Sequence, residues 1–302
     1  MASPVSNASP LSPAQRALVD AWFGEWELLG DHSWGLQGIH VLRIATAQGP
    51  VAVKASGTSH HIVREARAHR QMTAPLLALD PPRAARLLHA DTRAGVLAAT
   101  WLPGRLVEGG PHERSPEAFR QAGELLARLH VPKNLTSSYD PAALNKVGDF
   151  LSRAAGLAPA AHLRAAERLA ASHRTAPRWL YATHGDFQPR NWIEDGDWGA
   201  GSGLVSLIDW GRAGYRPWVT DLVRLEHQCF HPGHGRSAHD AAQLRAAFYA
   251  GYGRDPAQEP DSWRLDTLLQ SLGTMVWAHE VGDAPFEEEG RLMLARAVDW
   301  FG

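Results

Sequence analysis

Two short segments of the sequence carry oxygen-bearing side chains at a spacing that suits metal-assisted chemistry. The first reads His184-Gly-Asp186-x4-Asn191, and the second is an apolar run that ends at Asp209. Two carboxylates and one amide oxygen form an all-oxygen set, which suits a hard cation such as Mg²⁺ that completes its shell with water and phosphate. The two segments therefore predict a site for such a cation.

The elements around these segments predict how the side chains come together. Residues 192–193 and 204–208 are apolar and are separated by a glycine-rich loop, so we expect them to pair as the strands of one hairpin. This pairing places Asn191 and Asp209 at the same end of the hairpin. Asp186 precedes Asn191 in a loop with glycine and proline, where the backbone can turn its side chain toward the same point.

Each of these residues also has a plainer interpretation. Taken alone, Asp209 is typical of a turn at the end of a strand, Asn191 of a turn, and His184 of a hydrogen-bonded histidine in a core. Only the joint pattern, in this order and at this spacing, favours a functional site.

The two segments resemble the catalytic loop and the metal-binding motif of the aminoglycoside phosphotransferase/choline kinase branch of the protein-kinase-like fold. The matching residues are His184-x-Asp186-x4-Asn191 and Ile208-Asp209-Trp210-Gly211, and together with the two-lobed organisation the resemblance extends over most of the chain. It implies transfer of a phosphoryl group from ATP or GTP to a hydroxyl of a small molecule, with Mg²⁺ as the metal.

The resemblance also implies roles for individual residues. Asp186 is the expected catalytic base, and Asn191 and Asp209 are the expected metal ligands. Three further residues are expected to support the catalytic loop, namely His184, Arg190 and Asp221.

Two positions of the loop differ from the common pattern of this branch. Gln188 stands where histidine is usual, and because its amide both donates and accepts hydrogen bonds, we interpret it as a subgroup difference. Arg190 stands where a small residue is frequent. Two interpretations of Arg190 stay open, added positive charge near the phosphates and an ordinary surface arginine.

The N-terminal third supplies the lysine and glutamate that a kinase uses to hold the nucleotide phosphates. Lys54 ends the apolar run Val51-Ala-Val-Lys54, and Glu65 follows in the next predicted helix. Of the 30 basic residues only three are lysines, and a compact ammonium is not equivalent to a planar guanidinium. The lysine at this position therefore favours a functional role over that of a solvated lysine at a strand end.

Other nucleotide-binding signals are weaker. The glycines of residues 30–38 do not form G-x-G-x-x-G, and no G-x4-G-K-[ST] occurs, which argues against a P-loop. Their loose spacing is similar to what this branch tolerates. Thr100, Trp101 and Leu102 resemble the hinge whose backbone groups bind the purine, and the choice between adenine and guanine stays open.

The order of predicted elements indicates an α+β fold with two lobes. Residues 1–102 are the expected nucleotide-binding lobe, with an antiparallel sheet and a disordered tail at 1–10. Residues 103–302 are the expected helical lobe with the catalytic loop, metal site and acceptor site. The individual expectations are a helix over 13–22 capped by Ser12, a hairpin of strands 39–46 and 51–54, a helix over 60–73 closed by Pro75, a strand over 96–102, a helix opened by Ser115, a helical stretch over 141–173 and mostly helix over 217–300.

Composition excludes several classes of protein. The 302 residues are 44% apolar and 21% charged, as in a globular protein with a full core. A net charge of −2 argues against a nucleic-acid partner, and no apolar run reaches the ~20 residues of a membrane helix. The single Cys229 argues against a disulfide framework. We therefore expect a cytoplasmic protein without a nucleic-acid, membrane or protein partner.

The expected acceptor is a cationic antibiotic, an expectation that rests on the family rather than on residues of this chain. Carboxylates suit a cation, and the candidate acceptor-binding residues are Glu226, His227 and Glu280. The acids at 287–289 are more typical of a solvated first turn of a helix. The histidines between 227 and 239 lack the spacing of a metal site.

Three other functions stay open. One is a metabolic kinase of the same fold that acts on an amino alcohol, homoserine or a sugar. Another is a catalytically silent kinase-like binding protein, against which the intact residue set argues. The third is a metallohydrolase that uses His184, Asp186 and Asp209. Such an enzyme would release phosphate without an acceptor, and this activity would persist in the Lys54→Ala variant.

Overall fold

The structure is a computed structural model that describes residues 10–33, 38–57, 60–233 and 235–302. The chain divides into two compact units. Unit 1 runs to Gly104 and also contains Ser206–Arg212, and unit 2 contains Arg105–Val205 and Ala213–Gly302. Residues 1–9 of the predicted tail, residues 34–37 of the glycine-containing segment and His234 lie outside the described residues.

Unit 1 is built on an antiparallel sheet of five strands. The predicted hairpin is present, and its register sets Val41 opposite Lys54. Alternate residues of the second hairpin strand, Val51, Val53 and Ala55, enter the core, so Lys54 lies on the other face. The strands are β1 (Glu27–Asp31), β2 (Ile39–Thr46), β3 (Gly49–Ser56), β4 (Leu87–Asp91) and β5 (Val96–Thr100), in the order β1-β2-β3-β5-β4.

Three helices accompany this sheet, α1 (Pro13–Phe23), α2 (His61–Gln71) and α3 (Ala74–Leu77). Ser12 caps α1 as predicted, in a capping box with Gln15. The prediction that Pro75 closes the second helix is wrong, because α2 ends earlier and Pro75 lies in the first turn of α3. Proline is tolerated there since a first-turn N–H has no partner in the helix.

Unit 2 is mainly helical. The helices are α4 (Pro116–Leu129), α5 (Tyr139–Arg153), α6 (Ala160–Ala171), α7 (Ala238–Tyr252), α8 (Pro260–Val281) and α9 (Ala284–Phe301). Ser115 caps α4 as predicted. A continuous helical stretch over 141–173 is wrong, because the chain leaves the helix after Arg153. Gly156 there has a φ of 83°, which a helix interior does not allow, and Pro159 precedes the next helix.

Six further strands in the described ranges are short. They are β6 (Arg105–Leu106), β7 (Pro132–Thr136), β8 (Arg178–Thr183), β9 (Trp192–Asp195), β10 (Leu204–Leu207) and β11 (Gly214–Arg216). One sheet has the order β10-β9-β6 and another the order β11-β8-β7. The predicted pairing of residues 192–193 with 204–208 is therefore confirmed. The chain returns to unit 1 within β10, so Asp209 belongs to the same unit as Lys54.

No helix in the described ranges has both the length and the apolar character needed to span a membrane.

Two glycines let α4 and α7 approach closely. A Cβ on Gly251 would lie 2.0 Å from the carbonyl oxygen of Arg120, and a Cβ on Gly123 would lie 2.3 Å from that of Phe248. Both distances are far below a van der Waals contact, so a side chain at either position forces the helix backbones apart.

We expect Gly251→Ala to lower the free energy of unfolding by about 1–3 kcal/mol, the usual cost of overpacking a core. The measurement is urea denaturation followed by circular dichroism. Gly148→Ala on α5 is the matched control, since its Cβ meets nothing within 4 Å and helix propensity favours alanine by about 0.5–1 kcal/mol. Equal stabilities of the two variants would contradict the close approach.

A buried carboxyl group in α8 gives the fold a specific pH dependence. Asp266 Oδ1 accepts hydrogen bonds from the hydroxyls of Tyr139 at 2.6 Å and Thr220 at 3.1 Å. Its Oδ2 is buried and has no partner among the described residues. Burial raises the pKa of Asp266 to about 7, although the two hydrogen bonds oppose the rise. The folded protein therefore holds a proton on this group at mildly acidic pH.

We expect the stability contributed by Asp266 to fall as pH rises from about 4 to about 7, because the unfolded chain loses this proton first. The slope is at most about 1.4 kcal/mol per pH unit. Urea midpoints across this range measure it, and Asp266→Asn should remove it. An unchanged pH slope in that variant would contradict the protonated state.

Candidate active site

Three charged side chains form a cluster within unit 1. The Lys54 Nζ on β3 lies 2.9 Å from Glu65 Oε1 on α2 and 3.0 Å from Asp209 Oδ1. The Lys54 and Glu65 side chains are largely buried, while that of Asp209 is half exposed. The contact of Lys54 with Glu65 agrees with the expected pair, and Asp209 is a second partner of the same ammonium.

The cluster holds its charges firmly. Burial disfavours the ammonium of Lys54, but the negative charges of Asp209 and Glu65 outweigh it and raise the pKa of Lys54 above its usual range. Burial also disfavours the Glu65 carboxylate, but Lys54 and the neighbouring His69 lower the pKa of Glu65 to about 2. Both groups are therefore charged at neutral pH.

The turn that carries Asp209 has an unusual backbone. Asp209 has a φ of 63°, in the left-handed region that aspartate tolerates better than most side chains. A 3₁₀ turn, Trp210–Arg212, follows it. A Cβ on Gly211 would lie 2.8 Å from Nδ1 of His61 on α2, so a glycine fits here and a larger residue does not. Non-glycine residues in this region are concentrated at functional sites.

The predicted catalytic loop lies in unit 2. It follows β8 and reaches β9 through a 3₁₀ turn, Pro189–Asn191. Asp221 fixes its beginning, because Oδ2 accepts the N–H of His184 at 2.7 Å and Oδ1 accepts the N–H of Gly185 at 2.6 Å. Asp221 is only 2% exposed. These contacts are the ones that a residue supporting the catalytic loop must make.

Asp221 is itself held by His130, a residue that sequence reasoning missed. The His130 Nε2 lies 3.1 Å from Asp221 Oδ2 and its Nδ1 lies 2.7 Å from the Tyr252 hydroxyl. Because a carboxylate only accepts, Nε2 carries the proton and Nδ1 accepts from Tyr252. Burial opposes the charge of Asp221, but the hydrogen bond from His130 holds its pKa below the usual value.

The carboxylate of Asp186 is surrounded by donors. Oδ1 accepts from Gln188 Nε2 at 2.6 Å and lies 3.3 Å from Nε of Arg224. Oδ2 accepts from Arg190 Nη2 at 2.9 Å and from Asn191 Nδ2 at 3.2 Å. Arg224 was not predicted, and nothing in its sequence context distinguishes it from the other arginines. Gln188 uses its amide as a donor to Asp186.

Two oxygens have the chemistry of metal ligands. The Asn191 Nδ2 points to the main-chain oxygen and the carboxylate of Asp186, so Oδ1 faces away from them, and no described residue donates to it. In unit 1, Lys54 binds Oδ1 of Asp209, and Oδ2 has no donor among the described residues. Each of these oxygens, within its own unit, is of the kind that a hard cation such as Mg²⁺ prefers.

Other groups of metal-ligating side chains are lacking in the part of the chain that the structure describes. It contains no cluster of three or more histidine, cysteine, aspartate or glutamate residues that could hold a metal ion.

The three expected hinge residues differ in what their backbones offer. The N–H of Thr100 donates to the main-chain carbonyl of Arg86 at 2.9 Å. The N–H of Trp101 donates to the main-chain carbonyl of Pro50 at 3.1 Å. The N–H of Leu102 has no backbone acceptor among the described residues. Of the three, Leu102 therefore has the N–H that a purine would find available.

The two candidate acceptor-binding carboxylates are both paired with arginines. Glu226 is buried and accepts from Arg245 at 3.0 Å and from the Tyr249 hydroxyl at 2.6 Å. Glu280 is half exposed and pairs with Arg153.

His227 requires a correction as a candidate ligand of the acceptor. Its ring is fully buried and stacks on Trp300, with ring centroids 4.5 Å apart. Burial lowers the pKa of His227 to about 3, so the ring is neutral. The sequence shows histidine next to glutamate but not that this segment turns inward.

The sequence as a whole was compared with known families. The match is to the phosphotransferase enzyme family over residues 41–265. The chain belongs to that family. Membership confirms the predicted resemblance and makes this member a kinase with a hydroxyl group as acceptor. A comparison with curated proteins finds no match.

Solved structures of similar fold include other phosphotransferases. Macrolide 2′-phosphotransferase MphH from Brachybacterium faecium is 18% identical with a TM-score of 0.60, over 94% of this chain and 98% of that one. A thermostable mutant of aminoglycoside phosphotransferase APH(4)-Ia is 12% identical with a TM-score of 0.65, over 94% and 98%. A choline/ethanolamine kinase family protein from Mesorhizobium loti is 20% identical with a TM-score of 0.57, over 93% and 89%. The predicted α+β kinase-like fold is thereby confirmed.

Removing the charge of Asp221 tests how the catalytic loop of this family member is held. We expect Asp221→Asn to lower the free energy of unfolding by about 3–5 kcal/mol, since it breaks a buried charged network. Asp261→Asn, at an exposed pair with Arg264, should change it by at most about 1 kcal/mol. Urea denaturation compares the two, and similar small changes would show that Asp221 does not hold the loop.

Proposed function

We propose that this family member transfers the γ-phosphoryl group of ATP or GTP to a hydroxyl of a small antibiotic, with Asp186 as the catalytic base. The observation that carries the proposal is the fixed carboxylate of Asp186, in a loop whose backbone is bound to Asp221. A carboxylate in a set orientation can accept the proton of the attacking hydroxyl as the new P–O bond forms.

The nucleotide is assigned to the residues of unit 1. The Lys54 ammonium contacts both carboxylate oxygens of Glu65 and Oδ1 of Asp209. Its positive charge suits the α- and β-phosphates, and Glu65 orients it. The backbone N–H of Leu102 suits a ring nitrogen of the purine, with Thr100 and Trp101 next to it in the proposed hinge.

The metal ligands are assigned to Asn191 and Asp209. Each has a side-chain oxygen to which no described residue donates a hydrogen bond. Mg²⁺ bound there would neutralise charge on the transferring phosphates. Lys54 keeps Asp209 oriented through Oδ1, and Asp186 keeps Asn191 oriented through Nδ2. His184, Arg190 and Asp221 support the loop.

The antibiotic acceptor is supported by what similar structures are named for. MphH is a macrolide phosphotransferase, and a mutant of APH(4)-Ia is described in a ternary complex with AMP-PNP and hygromycin B. The second candidate is a metabolic kinase for an amino alcohol, favoured by the choline/ethanolamine kinase family protein among similar structures.

The single cysteine, Cys229, is buried and free, which suits the cytoplasm as the place of action.

A coupled assay for ADP and GDP release tests the proposal. ATP and GTP are each combined with Mg²⁺ and a panel of aminoglycosides, macrolides, amino alcohols, homoserine and sugars. We expect turnover with an antibiotic. Asp186→Asn should lower kcat by about 10²–10⁴-fold while nucleotide affinity stays near that of the wild type, because a base acts in the transition state.

Further variants separate the rival functions. Asp209→Asn should lose Mg²⁺-dependent nucleotide binding, measured by calorimetry, whereas Asp299→Asn at an exposed position of α9 should behave as the wild type. Nucleotide binding without turnover across the panel would favour a silent binding protein. Phosphate release without any acceptor that survives Lys54→Ala would favour a hydrolase. Full activity of Asp186→Asn would overturn the assignment of the base.

A further inference from the structure

The donors around Asp186 leave little room for an acceptor hydroxyl. Each carboxylate oxygen has two lone pairs, and both lone pairs of Oδ2 are used by Arg190 and Asn191. Oδ1 accepts from Gln188 and faces the guanidinium of Arg224. A hydroxyl that hands its proton to Oδ2 must therefore replace one of its two donors, Arg190 or Asn191.

Arg190 is the partner that can leave. Gln188 is 4%, Asn191 5% and Arg224 6% exposed, so each is fixed by packing. Asn191 also donates to the main-chain oxygen of Asp186 at 2.7 Å, which anchors it further. The Arg190 side chain, in contrast, is 22% exposed.

A displaced Arg190 guanidinium has alternative partners close by. Glu108 is exposed, and its N–H donates to the carbonyl of Pro189, the residue before Arg190, at 3.4 Å. Partial burial of its carboxyl group raises the pKa of Glu108, and the positive charge of Arg190 is the largest influence that opposes the rise. The ring of Phe286 lies 5.7 Å from the Arg190 guanidinium carbon, within range of a cation–π contact. Leaving Asp186 therefore does not leave Arg190 without a stabilising neighbour.

We propose that Arg190 is a displaceable guard of the catalytic base, whose place on Oδ2 the acceptor hydroxyl takes. The inference rests on the proposed phosphoryl transfer. A bound acceptor has binding energy with which to displace Arg190, whereas a single water molecule does not. The acceptor oxygen then forms a bond to the γ-phosphorus, and the bond from that phosphorus to the β,γ-bridging oxygen of the nucleotide breaks. The hydroxyl proton passes to Oδ2 of Asp186. The guard suppresses hydrolysis of the nucleotide by water.

Arg224 is the fixed counterpart in this arrangement. It lies in the same segment as Asp221, three residues later, so one stretch of chain holds both the backbone of the loop and the carboxylate. Its guanidinium carbon lies 5.2 Å from the ring of Phe286. Arg224 is therefore a positioning residue that keeps Asp186 oriented when Arg190 moves.

The test is release of inorganic phosphate from Mg²⁺ and ATP, or GTP, with water as the acceptor. We expect Arg190→Met to raise this rate about tenfold over the wild type, as loss of one hydrogen bond to a charged group implies. Arg190→Lys, which keeps a charged donor, should return the rate toward the wild-type value. A purely structural role of Arg190 would lower the rate rather than raise it.

Two further variants complete the comparison. Arg224→Met should lower phosphate release, since it removes a fixed partner of the carboxylate, and Arg128→Met on the exposed side of α4 should leave it unchanged. An unchanged or lower rate in Arg190→Met, with a wild type active on some acceptor, overturns the guard alone. No turnover by the wild type or by Arg190→Met, with water or any acceptor of the panel, overturns the proposed function and the guard with it.

Discussion

The arrangement of the catalytic loop depends on one buried carboxylate, that of Asp221. It accepts the backbone N–H groups at the start of the loop, and a neutral imidazole, His130, donates to one of the same oxygens. Buried charge is costly unless it is hydrogen-bonded on every side, and here the bonds that satisfy the charge are the bonds that shape the loop. The geometry of Asp186 and Asn191 follows from this anchor, because both lie within the next few residues of the chain.

In unit 1 a charged group is likewise paired with its neighbours, and here the central group is the ammonium of Lys54. The ammonium of Lys54 satisfies Glu65, which is buried, and Asp209, which is not. Asp209 has a left-handed backbone conformation. Two residues later, Gly211 lies so close to His61 on α2 that a Cβ would collide with it. Backbone conformations of this kind cluster at functional sites. In both units, buried charged side chains thus surround the residues to which the family motif points.

The sequence predicts best what depends on spacing and on residue type. Lys54 is rare by type in an arginine-rich chain, and its contact with Glu65 follows from a strand and the next helix. The hairpin around the glycine-rich loop and the caps at Ser12 and Ser115 follow from local chemistry. These features need no knowledge of distant packing.

What the sequence does not predict depends on tertiary contacts. Arg224 contacts Asp186 and His130 contacts Asp221, residues distant from them in the sequence. The residues on either side of Arg224 and His130 give no indication of these contacts. His227 has the residue type of a ligand, but whether its segment faces solvent or core is decided by packing against α9.

Product analysis by ³¹P NMR tests phosphoryl transfer to a hydroxyl through Asp186 most directly. Wild type and Asp186→Asn are each incubated with Mg²⁺, the preferred nucleotide and the acceptor that gives turnover. We expect a phosphomonoester resonance of the acceptor that grows with the wild type and grows about 10²–10⁴-fold more slowly with Asp186→Asn. The same ester at the same rate from the variant, or only inorganic phosphate from the wild type, would contradict phosphoryl transfer to a hydroxyl through Asp186.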